Sequence, residues 1–166
     1  MEHTDLTRRN LLIGAAVAAA AAAIVPFKGA MAAMPDLGDT VTFRKTSAPD
    51  WLLAMWKEID DKTWGKGLDC FAEDAICNLG VADWHGREAI RDNLRAFVDK
   101  QMTTHHEVVE YWDGGALKVF RGLVTMKFND VSKGIAKPTM THFFYMDKND
   151  PTKVTHWYGA VGPIAF

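Results

Sequence analysis

Thr104-His105-His106-Glu107-Val108-Val109-Glu110-Tyr111-Trp112-Asp113-Gly114-Gly115 is the stretch whose reading decides the fold. Its first part is rich in β-branched and aromatic residues and has no helical period. It runs into Asp-Gly-Gly, a strong hairpin turn. Only strand patterns follow, over 117–129, 137–147 and 154–161, the last two separated by the turn Lys148-Asn149-Asp150-Pro151. Strands joined by tight turns run antiparallel, because a parallel pair needs a long crossover.

Upstream of that stretch the period changes. Ile90, Leu94, Phe97 and Val98 form one apolar stripe, which predicts a helix over 87–100. Trp51, Leu52, Met55, Trp56 and Ile59 predict a first helix that starts at Pro49 or Asp50 and runs to about Lys62. A second, short helix is expected over 64–71, with short strands at 75–79 and 82–86. Residues 34–48 show no periodicity and read as an arm. Three helices followed by a run of strands make an α+β domain over 49–166, with helices segregated against a mostly antiparallel sheet.

Residues 1–33 read as an export label. Arg8-Arg9 precede an apolar, alanine-rich run over 11–25, and Ala30-Met31-Ala32 offers a small-residue cleavage site. The paired arginines are similar to the twin-arginine signal for proteins exported in the folded state. The run is too short and too alanine-rich for a membrane span. A periplasmic or otherwise exported protein is therefore expected, with membrane contact only during export. Beyond this segment 19 carboxylates stand against 16 basic residues, so a nucleic-acid partner, which needs a basic face, is excluded. The two cysteines, Cys70 and Cys77, are expected as buried free thiols.

Phe71-Ala72-Glu73-Asp74-Ala75, Trp84-His85-Gly86-Arg87-Glu88-Ala89-Ile90 and His106-Glu107-Val108-Val109-Glu110, with Thr141-His142-Phe143-Phe144 behind them, resemble the nuclear transport factor 2-like superfamily and its SnoaL-like group. Ketosteroid isomerase, scytalone dehydratase and polyketide cyclases are relatives in that superfamily. The resemblance implies a curved sheet wrapped around three helices into a cone, with a pocket in its mouth for a small hydrophobic molecule. It also implies a homodimer through the outer sheet face. It would put Met55, Trp84, Thr141, Phe143 and Tyr145 on the pocket wall and turn His142 outward. The carboxylates of the steroid isomerase are missing: their positions fall at Leu79 and Thr141, and its phenol donor at Met55. Steroid isomerisation is therefore rejected.

The resemblance does imply one piece of chemistry: its dehydratase-like members use histidine with aspartate, and Asp60 and the His105-His106 pair stand where those groups are often found, with His106 heading the family-like His-Glu-Val-Val stretch. Imidazole titrates near neutrality, and a neighbouring carboxylate fixes its tautomer. Asp60 ends the first helix, where its charge opposes the helix dipole unless something else uses it. His105 and His106 alternate on a strand, so only one can enter the pocket. His106 is favoured, although neither strand face is clearly the apolar one. Thr141 or Tyr145 would donate to a developing oxyanion. No cofactor is called for, and the spacing of His105, His106, His142 and His156 does not support a metal site. Two readings stay open: a cofactor-free lyase, isomerase or cyclase acting on a hydrophobic oxygenated substrate, and an exported ligand-binding or dimeric interaction module without turnover.

Overall fold

The computed structural model describes residues 41–80 and 82–162, together with Pro35 and Leu37. The export-signal reading falls outside these residues. The elements in chain order are β1 (Arg44–Thr46), α1 (Asp50–Asp60), a 3-10 turn (Lys66–Cys70), β2 (Phe71–Asn78), β3 (Asp83–His85) and α2 (Arg87–Gln101). There follow β4 (Met102–Asp113), β5 (Leu117–Phe128), β6 (Ile135–Ala136), β7 (Thr139–Met146) and β8 (Val154–Val161). The strands form one sheet in the order β1-β4-β5-β7-β8-β2-β3, with β6 beside β5. All pairs are antiparallel except β2 with β8. This is an α+β fold with a curved, unclosed, mixed sheet around the helices.

Two α-helices are present among the described residues, where three helices were expected. The segment over 64–71 fails as an α-helix for a local reason. Lys62 and Trp64 both adopt positive φ, which breaks helical continuity. The Glu58 carboxylate then accepts hydrogen bonds from the Gly65 and Gly67 N–H groups at 2.7 and 3.3 Å and from the Thr63 hydroxyl. This folds the chain back beneath α1. A Cβ on Gly67 would lie 2.6 Å from the Ala54 carbonyl oxygen. Only a tight 3-10 turn fits, and β2 begins at Phe71. In the arm, Arg44–Thr46 adds an edge strand to β4.

The β4–β5 hairpin shows why the two faces of β4 could not be ranked. Its register shifts at a bulge between Val108 and Glu110. A bulge inserts one residue and exchanges the faces beyond it. Met102, Thr104, His106 and Val108 point inward before it, and Tyr111 after it. No single alternation describes such a strand.

The apolar stripe of α1, Leu52, Met55, Trp56 and Ile59, is buried against the inner sheet face. Each such side chain contributes about 1.5–3 kcal/mol on leaving water. Ile90, Leu94 and Val98 do the same for α2, whereas Phe97, expected on the same stripe, is left 40% exposed. Phe71, Phe120, Phe144 and Trp157 are fully buried. Trp157 stacks on Phe71 and Phe144 at 5.4 and 5.7 Å between ring centroids. Cys70 and Cys77 are buried and unbonded; burial pushes the Cys70 thiol up to about 12.

On β7 the inward set is Met140, His142 and Phe144, which reverses the expected register. Thr141, Phe143 and Tyr145 take the outer face. The reason lies across the ladder: His142 pairs with Gly159, and only a residue without a side chain leaves room for a buried imidazole there. A Cβ on Gly159 would lie 2.4 Å from His142 Nδ1 and 2.7 Å from Leu79 Cδ2. Gly159→Ala is therefore expected to destabilise the fold by about 1–3 kcal/mol, as overpacking does, measured as a lowered urea midpoint with an unchanged slope.

Candidate functional site

Asp60 is the last residue of α1, and β4 supplies it with hydrogen-bond donors. The Thr104 hydroxyl donates to Oδ1 at 2.8 Å and the His106 backbone N–H to Oδ2 at 2.8 Å. His106 Nδ1 lies 2.5 Å from Oδ1. This arrangement resolves the dipole conflict noted from sequence: the carboxylate at a helix C-terminus is retained because a neighbouring strand uses it. Burial alone would raise its pKa. The ring and backbone hydrogen bonds of His106, the charge of its ring and the Thr104 hydroxyl outweigh burial and hold the carboxyl below its usual value.

The geometry fixes a tautomer. An ionised carboxylate only accepts, so the proton of neutral His106 sits on Nδ1 and the lone pair on Nε2. Among the described residues Nε2 makes no hydrogen bond. The ring plane is fixed by Trp56, stacked on it at 4.1 Å with 19° between planes. The His106 side chain is 8% exposed and that of Asp60 14%. Both line an open groove of about 420 Å³ with Leu53, Trp56, Lys57, Asp61, His105 and Val108. Leu53, Trp56 and Val108 give it apolar walls. Lys57 forms an ion pair with Asp61 at the rim.

The structure thus brings Asp60 and His106 together and turns His106 inward. His105 points out, with its side chain 70% exposed, yet its Nδ1 remains 3.8 Å from Asp60 Oδ2. The other expected wall residues are elsewhere. Met55 has 0% exposure and is sealed among core side chains, so no ligand atom can touch it in this state. Trp84 stands on β3 at the far edge of the sheet and lines neither this groove nor the outer-face cavity at Tyr145. Thr141, Phe143 and Tyr145 face away, displaced by the β7 register.

Five residues of this groove, Leu53, Trp56, Lys57, Asp61 and Val108, were not read from sequence as site residues. Leu53 and Lys57 are helical neighbours of Asp60 on the groove side of α1. Trp56 precedes Asp60 by four residues, the spacing that places two side chains on one helix face; that spacing was the available signal. His142 lies behind Trp56, at 5.3 Å between ring centroids. It is 4% exposed and accepts from the Trp157 indole N–H at 2.9 Å. Burial, with a smaller contribution from the charge of His106, pushes its pKa down to about 3. It therefore stays neutral, with its proton on a sealed Nε2 that has no partner among the described residues.

No protein-family model and no curated protein matches the chain by sequence. Solved structures match by shape. A ketosteroid isomerase-like protein from Catenulispora acidiphila, solved with trimethylamine, superposes with a TM-score of 0.61 at 12% identity, over 68% of this chain and 85% of its own. A putative polyketide cyclase from Sinorhizobium meliloti gives 0.55 at 18% identity over 68% and 94%. An epoxide hydrolase of M. tuberculosis gives 0.55 at 11% over 67% and 79%. The fold is accordingly the nuclear transport factor 2-like cone, as the resemblance implied.

Asp60→Asn should move the His106 proton toward Nε2, read in long-range ¹H–¹⁵N spectra of the ring, and cost about 1–3 kcal/mol of stability, because an amide N–H₂ then confronts donors. The wild type should also show an acid effect. A carboxyl whose folded pKa lies below its unfolded value stabilises above that unfolded value, near pH ~3.9, and the contribution is lost as pH falls through the folded pKa. In Asp60→Asn that part of the acid dependence should vanish from the unfolding free energy.

Proposed function

We propose that the protein is an exported, cofactor-free enzyme that moves a proton on a small, hydrophobic, oxygenated molecule, with His106 Nε2 as the base. The observation that carries this reading is the set of donors on Asp60, which holds one imidazole in one tautomer with its lone pair unspent. In the proposed step Nε2 takes a proton from carbon beside a carbonyl, and the electron pair moves onto the carbonyl oxygen. The proton then returns to a neighbouring carbon, as in an isomerase, or a leaving group departs, as in a lyase. A cyclase would use the same enolate as its nucleophile. Asp60 stabilises the imidazolium formed. Leu53, Trp56 and Val108 would hold the apolar part of the substrate, and Lys57 is the groove cation available to the developing oxyanion. Thr141 and Tyr145 cannot serve there. The exposed His105 would pass protons to bulk water. The polyketide cyclase name of one structural neighbour agrees with such chemistry, although a shared fold does not assign it. Export rests on Arg8-Arg9 and the alanine-rich run that follows.

A second reading, binding without turnover, is favoured by one observation: among the described residues the groove presents no hydroxyl or amide side chain to a substrate oxygen. On that reading the exposed Val109, Leu123 and Phe143 would support a homodimer.

The two readings separate in D₂O. Small cyclic ketones and enones incubated with the protein should take up deuterium beside the carbonyl, read by mass spectrometry. His106→Ala and Asp60→Asn should slow this uptake, the former by about 10²–10⁴-fold, the usual weight of a positioned base. Uptake equal in wild type and His106→Ala would remove the proton-transfer scheme. Ligand-induced shifts without uptake in the wild type would establish the binding module.

A further inference from the structure

We propose a second small-molecule site, on the outer sheet face, that takes a compact organic ammonium ion between Asp74 and His156. It lies at the end of β7 and β8 nearest the turn 147–153, the opposite end of β5 and β7 from the pairing of Leu123 with Thr139. A cavity of about 370 Å³ is present there, within the common range of ligand pockets. Ile76, Tyr145 and His156 contribute to its sheet side, and Pro35 and Leu37 of the arm close over it.

The hydrogen bonds around His156 assign its proton. The Thr155 hydroxyl donates to the Tyr145 carbonyl at 3.1 Å, so its single hydrogen is spent. His156 Nδ1 lies 3.1 Å from the same hydroxyl oxygen and must be the donor. The Nε2 lone pair then has no partner among the described residues. Burial holds this ring's pKa below the ordinary histidine value, with Asp74 pulling weakly the other way. The ring therefore acts as a neutral acceptor.

Asp74 supplies the charge. It stands on the outer face of β2, two residues before Ile76, which pairs with His156. Its exposed carboxylate has no hydrogen bond or ion pair among the described residues. Asp147, the other carboxylate on the wall, is already engaged by the N–H groups of Asn149 and Asp150. With Lys148 as the one cation of the wall among the described residues, those residues carry a net negative charge. Two unspent acceptors, one of them charged, select a group that is both cationic and a hydrogen-bond donor. Tyr145 meets the His156 ring edge-on at 6.2 Å and Tyr158 stacks on it at 6.2 Å. The aromatic surroundings suit the apolar part of such a ligand and attract its charge. A free carboxylate or phosphate would be repelled.

Benzylammonium is the probe, with benzyl alcohol and benzoate as controls, followed in ¹H–¹⁵N spectra of the full chain. Benzylammonium should shift the His156 ring nitrogens and the amides of 74–76 and 155–158. Asp74→Asn, an exposed change that leaves the core untouched, should weaken binding about tenfold or more, which corresponds to ~1.4 kcal/mol. His156→Gln should also weaken it, while His106→Ala should leave it unchanged. The proposal fails if benzyl alcohol or benzoate binds as tightly, if Asp74→Asn binds like wild type, or if the shifts gather at the His106 groove.

Discussion

One carboxylate at the end of one helix organises this molecule's chemistry. Asp60 is held by a hydroxyl, a backbone N–H and an imidazole N–H, all from β4. Its charge cannot be given up without stranding those donors, so the end of α1 is fixed against the strand. Trp56, one turn earlier on the same helix, is thereby laid flat against the imidazole that Asp60 orients. The bonds that fasten the helix end also fix the orientation of the imidazole. This explains a residue type that helix propensity and dipole both argue against at this position.

Trp56 also separates two histidines with opposite fates. On one side His106 meets an anion and the groove. On the other His142 meets Phe120, Trp157 and Phe144 and accepts an indole proton. A charge on His106 is stabilised by its partner, whereas a charge on His142 would find no counterion and little water. The inside of the cone is a packed aromatic stack rather than an empty funnel, and the His106–Asp60 pair lies at its rim.

Much of the architecture could be read from local pattern. The hairpin turn Asp113-Gly114-Gly115, the stripe of α2 and the bounds of β8 are set by nearby residues, and they came out close to where the structure has them. The meeting of Asp60 with His106 was legible chiefly through the family resemblance, whose dehydratase-like members use histidine with aspartate at these places; a carboxylate set against a helix dipole only added to it. The misreadings share one cause. The orientation of β7 depends on Gly159 across the ladder, the faces of β4 on a bulge, and the 3-10 turn on Glu58 reaching forward to Gly65 and Gly67. The first two rest on pairing across the sheet, and the third on a side chain closing a loop onto backbone N–H groups, none of which shows as hydrophobic period. A register off by one residue inverts a whole strand, which is how Thr141, Phe143 and Tyr145 came to be expected in the wrong place.

The one parallel pairing in the sheet joins β2 to β8. Trp157, the largest fully buried side chain, stacks on Phe71 across that seam. The early helices and β2 must therefore wait for β8 before their aromatic face is covered. Pairings so distant in sequence carry a large loop-closure cost and form late. Docking of β8 and closure of the aromatic core are thus one event in folding.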